Sequence, residues 1–108
     1  MTQVLNEQHI YVAQLNELSV GIGKKLTIAG LELALFRQDN DEVLAVENRC
    51  PHKGGVLSDG IVSGEHVFCP MHDWKIDLRK GEAVAPDVGC VKTYDVSIID
   101  DGVYLLMD

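Results

Sequence analysis

Cys50-Pro51-His52-Lys53-Gly54-Gly55 and Cys69-Pro70-Met71-His72 are the two strings from which the rest of this chain is read, with sixteen residues (53–68) between His52 and Cys69. Each string carries one Cys and one His. Two thiolates and two imidazoles make a metal-ligand set rather than a nucleophile with its base. A Cys–His nucleophilic pair would leave half of the constellation unused. The spacing C-x-H-x16-C-x-x-H predicts two short loops, each delivered by a strand, that meet around one metal centre.

The donor types decide which metals are in play. Thiolate suits iron–sulfur iron, and imidazole is a neutral donor that can replace it. A [2Fe–2S] cluster with two Cys on one iron and two His on the other uses all four residues, Cys50, His52, Cys69 and His72. Neutral rings in place of thiolates make such a cluster less negative, so its potential rises toward roughly −150 to +300 mV. An added electron also favours a bound proton, so reduction should raise the pKa of His52 or His72. Zinc takes Cys2His2 sets too, and a zinc-stapled interaction module is the alternative from a different class. Zinc knuckles usually draw two sulfurs from one C-x2–4-C loop, however, and here each loop mixes Cys with His. A zinc deaminase would place Glu two residues after a ligand His, and neither loop does. Pro51 and Pro70 fix φ at a bend after each Cys. Gly54 and Gly55 let the backbone approach inorganic sulfide.

Outward from these loops, the pattern is one of short strands and turns. His9–Ala13 reads as an edge strand, and Leu15–Leu18 as one helical turn. Lys25–Ile28 alternates polar and apolar residues, as a half-buried strand does. Leu31–Arg37 and Val43–Glu47 pair across the turn signal Asp39-Asn40-Asp41. Leu57–Gly60 turns the chain, and Ile61-Val62 and His66–Cys69 lead into the second loop. Trp74–Leu78 leaves that loop, Arg79–Glu82 reverses, and Ala83–Gly89 reads as loop. Tyr94–Ile99 and Val103–Met107 form a hairpin about Asp100-Asp101-Gly102. Turn signals every eight to twelve residues, with no long 3.6-residue period, predict an all-β antiparallel sandwich. Within it, residues of about 48–76 form a small inserted cluster-binding subdomain. The 108 residues are expected to make a single domain, 1–108.

The totals narrow the partners. Apolar residues are 46% and charged residues 24% of the chain, a globular balance. Seventeen acids against nine bases give a formal charge of −8, which disfavours nucleic acid and anionic membrane and suits a basic docking face on a protein partner. No apolar run nears the roughly 20 residues of a membrane span. The polar start, Met1–Glu7, does not read as a secretory signal, so a cytoplasmic location is expected. Three cysteines is an odd count, unlike a disulfide scaffold. Cys90 is expected to be a buried small hydrophobe. His66 and His9 are expected at solvated strand edges. Trp74 shields the cluster, meets the partner or packs in the core, and Lys53 is either a docking contact or a solvated charge.

At this point the chain resembles a known family. Cys50-Pro-His52 and Cys69-Pro-Met-His72 look like the ligand loops of the Rieske ferredoxin superfamily. The likeness runs over roughly Leu31–Met107, and its fold would be the Rieske iron–sulfur sandwich. More narrowly, Glu47–Gly55, Gly60–Gly64, Cys69–Ile76 and Gly89–Tyr94 are similar to the small subunits of assimilatory NAD(P)H-dependent nitrite reductases. The resemblance implies a Rieske [2Fe–2S] cluster on Cys50, His52, Cys69 and His72, and a large siroheme-containing subunit as partner. It also implies a role within an oxidoreductase that reduces nitrite, with no substrate site of the chain's own.

The departures sharpen this. Respiratory Rieske proteins resemble the chain but add a Cys to each loop, joined as a disulfide, where this sequence holds Gly55 and Met71. They also carry hydrogen-bonding Ser and Tyr after the second His, where Trp74 and Ile76 stand here, which implies a potential at the low end. Ferredoxins of aromatic-ring dioxygenases share the low-potential loops but usually have Gly in place of Asp73-Trp74, and a stand-alone ferredoxin of that kind is the alternative reading. With every iron position filled by sulfide, Cys or His, such a centre would pass single electrons through its His edge. The triad of an oxygenase iron would need two further His close together, and only His9 and His66 remain.

Overall fold

A computed structural model of the protein describes residues 9–28, 30–49, 56–70, 74–84 and 89–106. Its strands are β1 (His9–Gln14), β2 (Lys24–Ile28), β3 (Leu31–Arg37), β4 (Val43–Glu47), β5 (Ile61–Ser63), β6 (His66–Phe68), β7 (Lys75–Asp77), β8 (Glu82–Ala83), β9 (Thr93–Ile99) and β10 (Gly102–Leu106). Leu15–Glu17 and Leu57–Asp59 are single turns of 3-10 helix. Every strand pair is antiparallel, as the alternation and turn signals predict.

The strands form two sheets. The larger has the order β1-β10-β9-β4-β3-β2, and the smaller is β5-β6-β7-β8. In the larger sheet, β9 pairs with β10 along most of its length but with β4 only through Tyr94–Ala45 and Thr93–Val46. The sheet therefore bends at β9. The smaller sheet continues past residue 76 to β8, where Ala83 pairs with Ile76 and Glu82 with Asp77.

Strands β3 and β4 explain why the two sheets stack. Their sequences, Leu-Glu-Leu-Ala-Leu-Phe-Arg and Val-Leu-Ala-Val-Glu, are apolar almost without alternation, which is the mark of a strand covered on both faces. Ala34, Phe36, Leu44 and Val46 face one core, with Leu57, Val67, Cys69, Ile76, Leu78 and Val91. Leu33, Leu35, Val43 and Ala45 face another, with Ala13, Leu15, Val103 and Leu105 of the β1–β10 side. The β3–β4 pair is a middle layer, and only the first of its two cores touches the smaller sheet.

An ion-pair cluster links the sheets at the surface. The Arg79 guanidinium, in the turn after β7, donates to both oxygens of Glu42 (2.8 and 2.7 Å) and to Glu65 Oε2 (3.0 and 2.7 Å). Glu42 stands just before β4, so the contact joins the reversing turn of the smaller sheet to the larger one.

Candidate metal centre

The second expected ligand loop grows out of β6 and β7. Their last pair is Phe68–Lys75, and the Cys69 amide then donates to the Trp74 carbonyl at 2.7 Å. Cys69 and Trp74 are thereby joined one step beyond the last strand pair. Cys69 is fully buried, in the same apolar cluster as Val67 and Ile76, with Trp74 packed half-buried against it. A thiolate buried among apolar side chains is costly unless a cation neutralises it. Without such a cation the buried group stays a neutral thiol; iron would supply the charge that lets Cys69 serve as a thiolate ligand. Pro70 is exposed beside it.

Of the other expected ligands, Cys50, His52 and His72 lie outside the described residues, as do Pro51, Lys53, Gly54, Gly55 and Met71. What the structure gives is the stem of the first loop. Glu47 and Asn48 carry β4 up to it: the Glu47 amide donates to the Lys92 carbonyl (2.8 Å) and the Asn48 amide to the Glu32 carbonyl (3.0 Å). The 3-10 turn Leu57–Asp59 receives the chain on the far side. Asn48 and Ser58 then join the two arms. The Ser58 amide donates to Asn48 Oδ1 (2.9 Å), and Asn48 Nδ2 donates to Ser58 Oγ (3.0 Å). Both side chains are buried, at 5% and 8% exposure, and they are the buried polar residues of the described chain. Asn48 belongs to the motif around Cys50, and its pairing with Ser58 is a feature of the fold that the motif does not contain. The signal was available: an amide at the end of an apolar strand, two residues before an expected ligand, usually has a local structural role.

Two glycines bring these pieces together. Gly60 has an ordinary negative φ of −80°, so its role is space: a Cβ there would collide with the Phe68 carbonyl and lie 2.8 Å from Val67 Cγ2. Gly23 lies against the Ser58 backbone and the Phe36 ring, where a Cβ would stand 2.7 to 2.9 Å from them. The turn after the first loop is thus packed directly onto the residue that precedes Cys69.

The cations near these stems are not tied up in ion pairs among the described residues. Lys75 Nζ lies 5.7 Å from the Phe68 ring centre and Lys92 Nζ 5.1 Å from that of Tyr94. Arg49 is exposed next to Cys50. An open groove of about 520 Å3 runs beside the first stem, lined in part by Leu31, Arg49, Val56, Lys92 and Tyr94.

Two expectations are corrected. Cys90 is exposed, and Val91 takes the buried position, because the Val91 amide donates to the Gly81 carbonyl and turns its own side chain inward. His66 sits on β6, inside the smaller sheet between β5 and β7 rather than at an edge, with Nε2 3.8 Å from Asp77 Oδ2. His9 is on the edge strand β1, as expected, but its Nδ1 is buried. His66 opens β6 at the end away from Cys69, and Cys90 lies outside both β6 and β7.

Comparison with known proteins agrees with this arrangement. The family model described as "Rieske [2Fe-2S] domain" matches residues 8–95. The ferredoxin component of the naphthalene 1,2-dioxygenase system of Pseudomonas aeruginosa is 35% identical over 95 residues, covering 87% of this chain and 90% of its own. The ferredoxin of carbazole 1,9a-dioxygenase from Nocardioides aromaticivorans superimposes with a TM-score of 0.86 at 28% identity, over 94% of this chain and all of that one. A structure from Mycobacterium tuberculosis, described as a "putative NADH-dependent nitrite reductase small subunit", superimposes with a TM-score of 0.81 at 27% identity, over 91% and 92% of the two chains.

Proposed function

The chain belongs to the Rieske [2Fe–2S] domain family, and from that membership we propose that it is the electron-transfer small subunit of an assimilatory NAD(P)H-dependent nitrite reductase. Its general role is that of a Rieske ferredoxin, an electron carrier with a [2Fe–2S] cluster that works with a partner oxidoreductase or oxygenase. The family's cluster supports reading the donor set as iron–sulfur ligands rather than as a zinc site.

Cys50, His52, Cys69 and His72 would hold the cluster, which when bound takes up and gives back one electron. The protein's part is to hold and insulate. Cys69, buried in the core shared with β3 and β4, keeps water from the sulfur side. The Cys69–Trp74 hydrogen bond ties together the two ends of the segment that carries His72. The Asn48–Ser58 pair does the same for the first stem.

The observation that carries the nitrite reductase reading is the likeness to a small subunit of that enzyme over nine-tenths of both chains, joined to the Asp73-Trp74-Lys75-Ile76 and Gly89–Tyr94 strings. In this reading the partner is the large siroheme subunit, and the pair works in the cytoplasm. No helix among the described residues is long and apolar enough to cross a membrane. The test is copurification of both chains with an assay of NAD(P)H-dependent nitrite reduction. The expected result is a stable complex whose activity falls when the small chain is removed. Unchanged assembly and activity without it would overturn the assignment.

The higher sequence identity to a naphthalene dioxygenase ferredoxin favours a second reading, a ferredoxin that serves an aromatic-ring oxygenase. Ring hydroxylation by a terminal oxygenase supplied with the reduced protein, with no effect on nitrite reduction, would select it.

A further inference from the structure

Asn48 and Ser58 are buried polar residues that satisfy each other through two hydrogen bonds. The nine residues between them, 49–57, contain Cys50 and His52 along with Gly54 and Gly55. Pinning both ends of such a segment confines the orientations open to everything between. The confinement reaches further than one loop. Leu57, beside Ser58, is fully buried in the same cluster as Cys69. Gly60, two residues after Ser58, packs on the carbonyl of Phe68, which precedes Cys69. The first stem is thus joined to the second by a short, rigid path: Asn48, Ser58, Gly60, Phe68, Cys69.

We propose that Asn48 and Ser58 are positioning residues for the cluster, whose paired hydrogen bonds lock the first ligand loop in register with Cys69 and so govern how tightly the cluster is retained and the potential at which it works. The proposal rests on the assignment of Cys50 and His52 as ligands. Breaking the pair leaves buried donors and acceptors unpaired, so the stem relaxes toward water rather than holding its shape. A loop loosened in this way lets its two ligands depart singly, and cluster loss follows.

The test uses holoprotein prepared anaerobically, with Ser58→Ala, Asn48→Ala and Asn48→Asp. A carboxylate at 48 still accepts from the Ser58 amide and can accept from its hydroxyl, so Asn48→Asp keeps the bracing while changing the charge. Val103→Ala, in the core on the far face of β3–β4, controls for general loss of stability. The readouts are the rate of cluster loss to a chelator, the EPR g-values of the reduced protein and the midpoint potential. Ser58→Ala is expected to lose its cluster about fivefold faster than Val103→Ala at a matched drop in melting temperature, with shifted g-values and potential. Asn48→Ala should exceed it, and Asn48→Asp, which keeps the acceptor but buries a charge, should fall between the parent and Asn48→Ala. If Ser58→Ala matches Val103→Ala in loss rate and the parent in spectrum and potential, the proposal is overturned, even where Asn48→Ala does not fold. A parent protein with no [2Fe–2S] signal would instead overturn the family function on which the proposal stands.

Discussion

At the scale of single residues, the space around Gly60 makes the sharpest forecast. Gly60→Ala should destabilise the fold by about 1–3 kcal/mol in urea titrations, because the atoms its Cβ meets are a backbone carbonyl and a packed Val67 methyl that cannot both retreat. The variant should also lose visible absorbance, since the displaced carbonyl belongs to Phe68, next to Cys69. The two described cysteines should separate in behaviour. Cys69→Ser should abolish the cluster spectrum. Cys90→Ser should change stability by less than about 0.5 kcal/mol and leave acid-labile sulfide at the parent level, as befits an exposed side chain. Residue type alone said little about Cys90. Its exposure follows from strand parity fixed by the Val91–Gly81 hydrogen bond, a contact between segments ten residues apart. The burial of Cys69 follows from its place directly after strand β6, while its role as a ligand rests on the pattern. For Cys50, His52 and His72, the pattern alone carries the assignment.

At the scale of elements, the long apolar or alternating runs were readable and the short ones were not. Strands β3 and β4 match their expected bounds because double-sided burial writes itself as unbroken hydrophobicity. The β9–β10 hairpin is equally plain. Its turn residues Asp100 and Asp101 take positive φ values of 50° and 66°, which Asp tolerates better than most residues. Strand β8, in the stretch expected to be loop from Ala83, has two residues and no period to read. The Arg79 turn adds a pH dependence. Hydrogen bonds from Arg79 lower the pKa of Glu42, and the same bonds raise that of Arg79. A depressed carboxylate contributes stability above its unfolded pKa and loses it as pH falls through the folded one. Glu42→Gln should therefore melt below the parent at neutral pH. The gap should close as pH falls through the lowered folded pKa of Glu42 and shrink in high salt, as expected of an exposed ion pair. Thermal melts across pH and salt check this.

At the scale of the whole molecule, the charge of −8 sets how partners are met. Association with a basic docking face should slow as ionic strength rises from about 0.05 to 0.5 M, while the dissociation rate changes less. Stopped-flow electron transfer from the reduced protein measures this. A rate indifferent to salt would point to apolar docking. Finally, the middle layer has a consequence for how the molecule breathes. Leu33–Phe36 and Val43–Val46 are roofed by one half of the protein and floored by the other. Loosening either half alone leaves these amides shielded from the other side. In heavy water they should be the last to take up deuterium, and only together, whether or not iron is present.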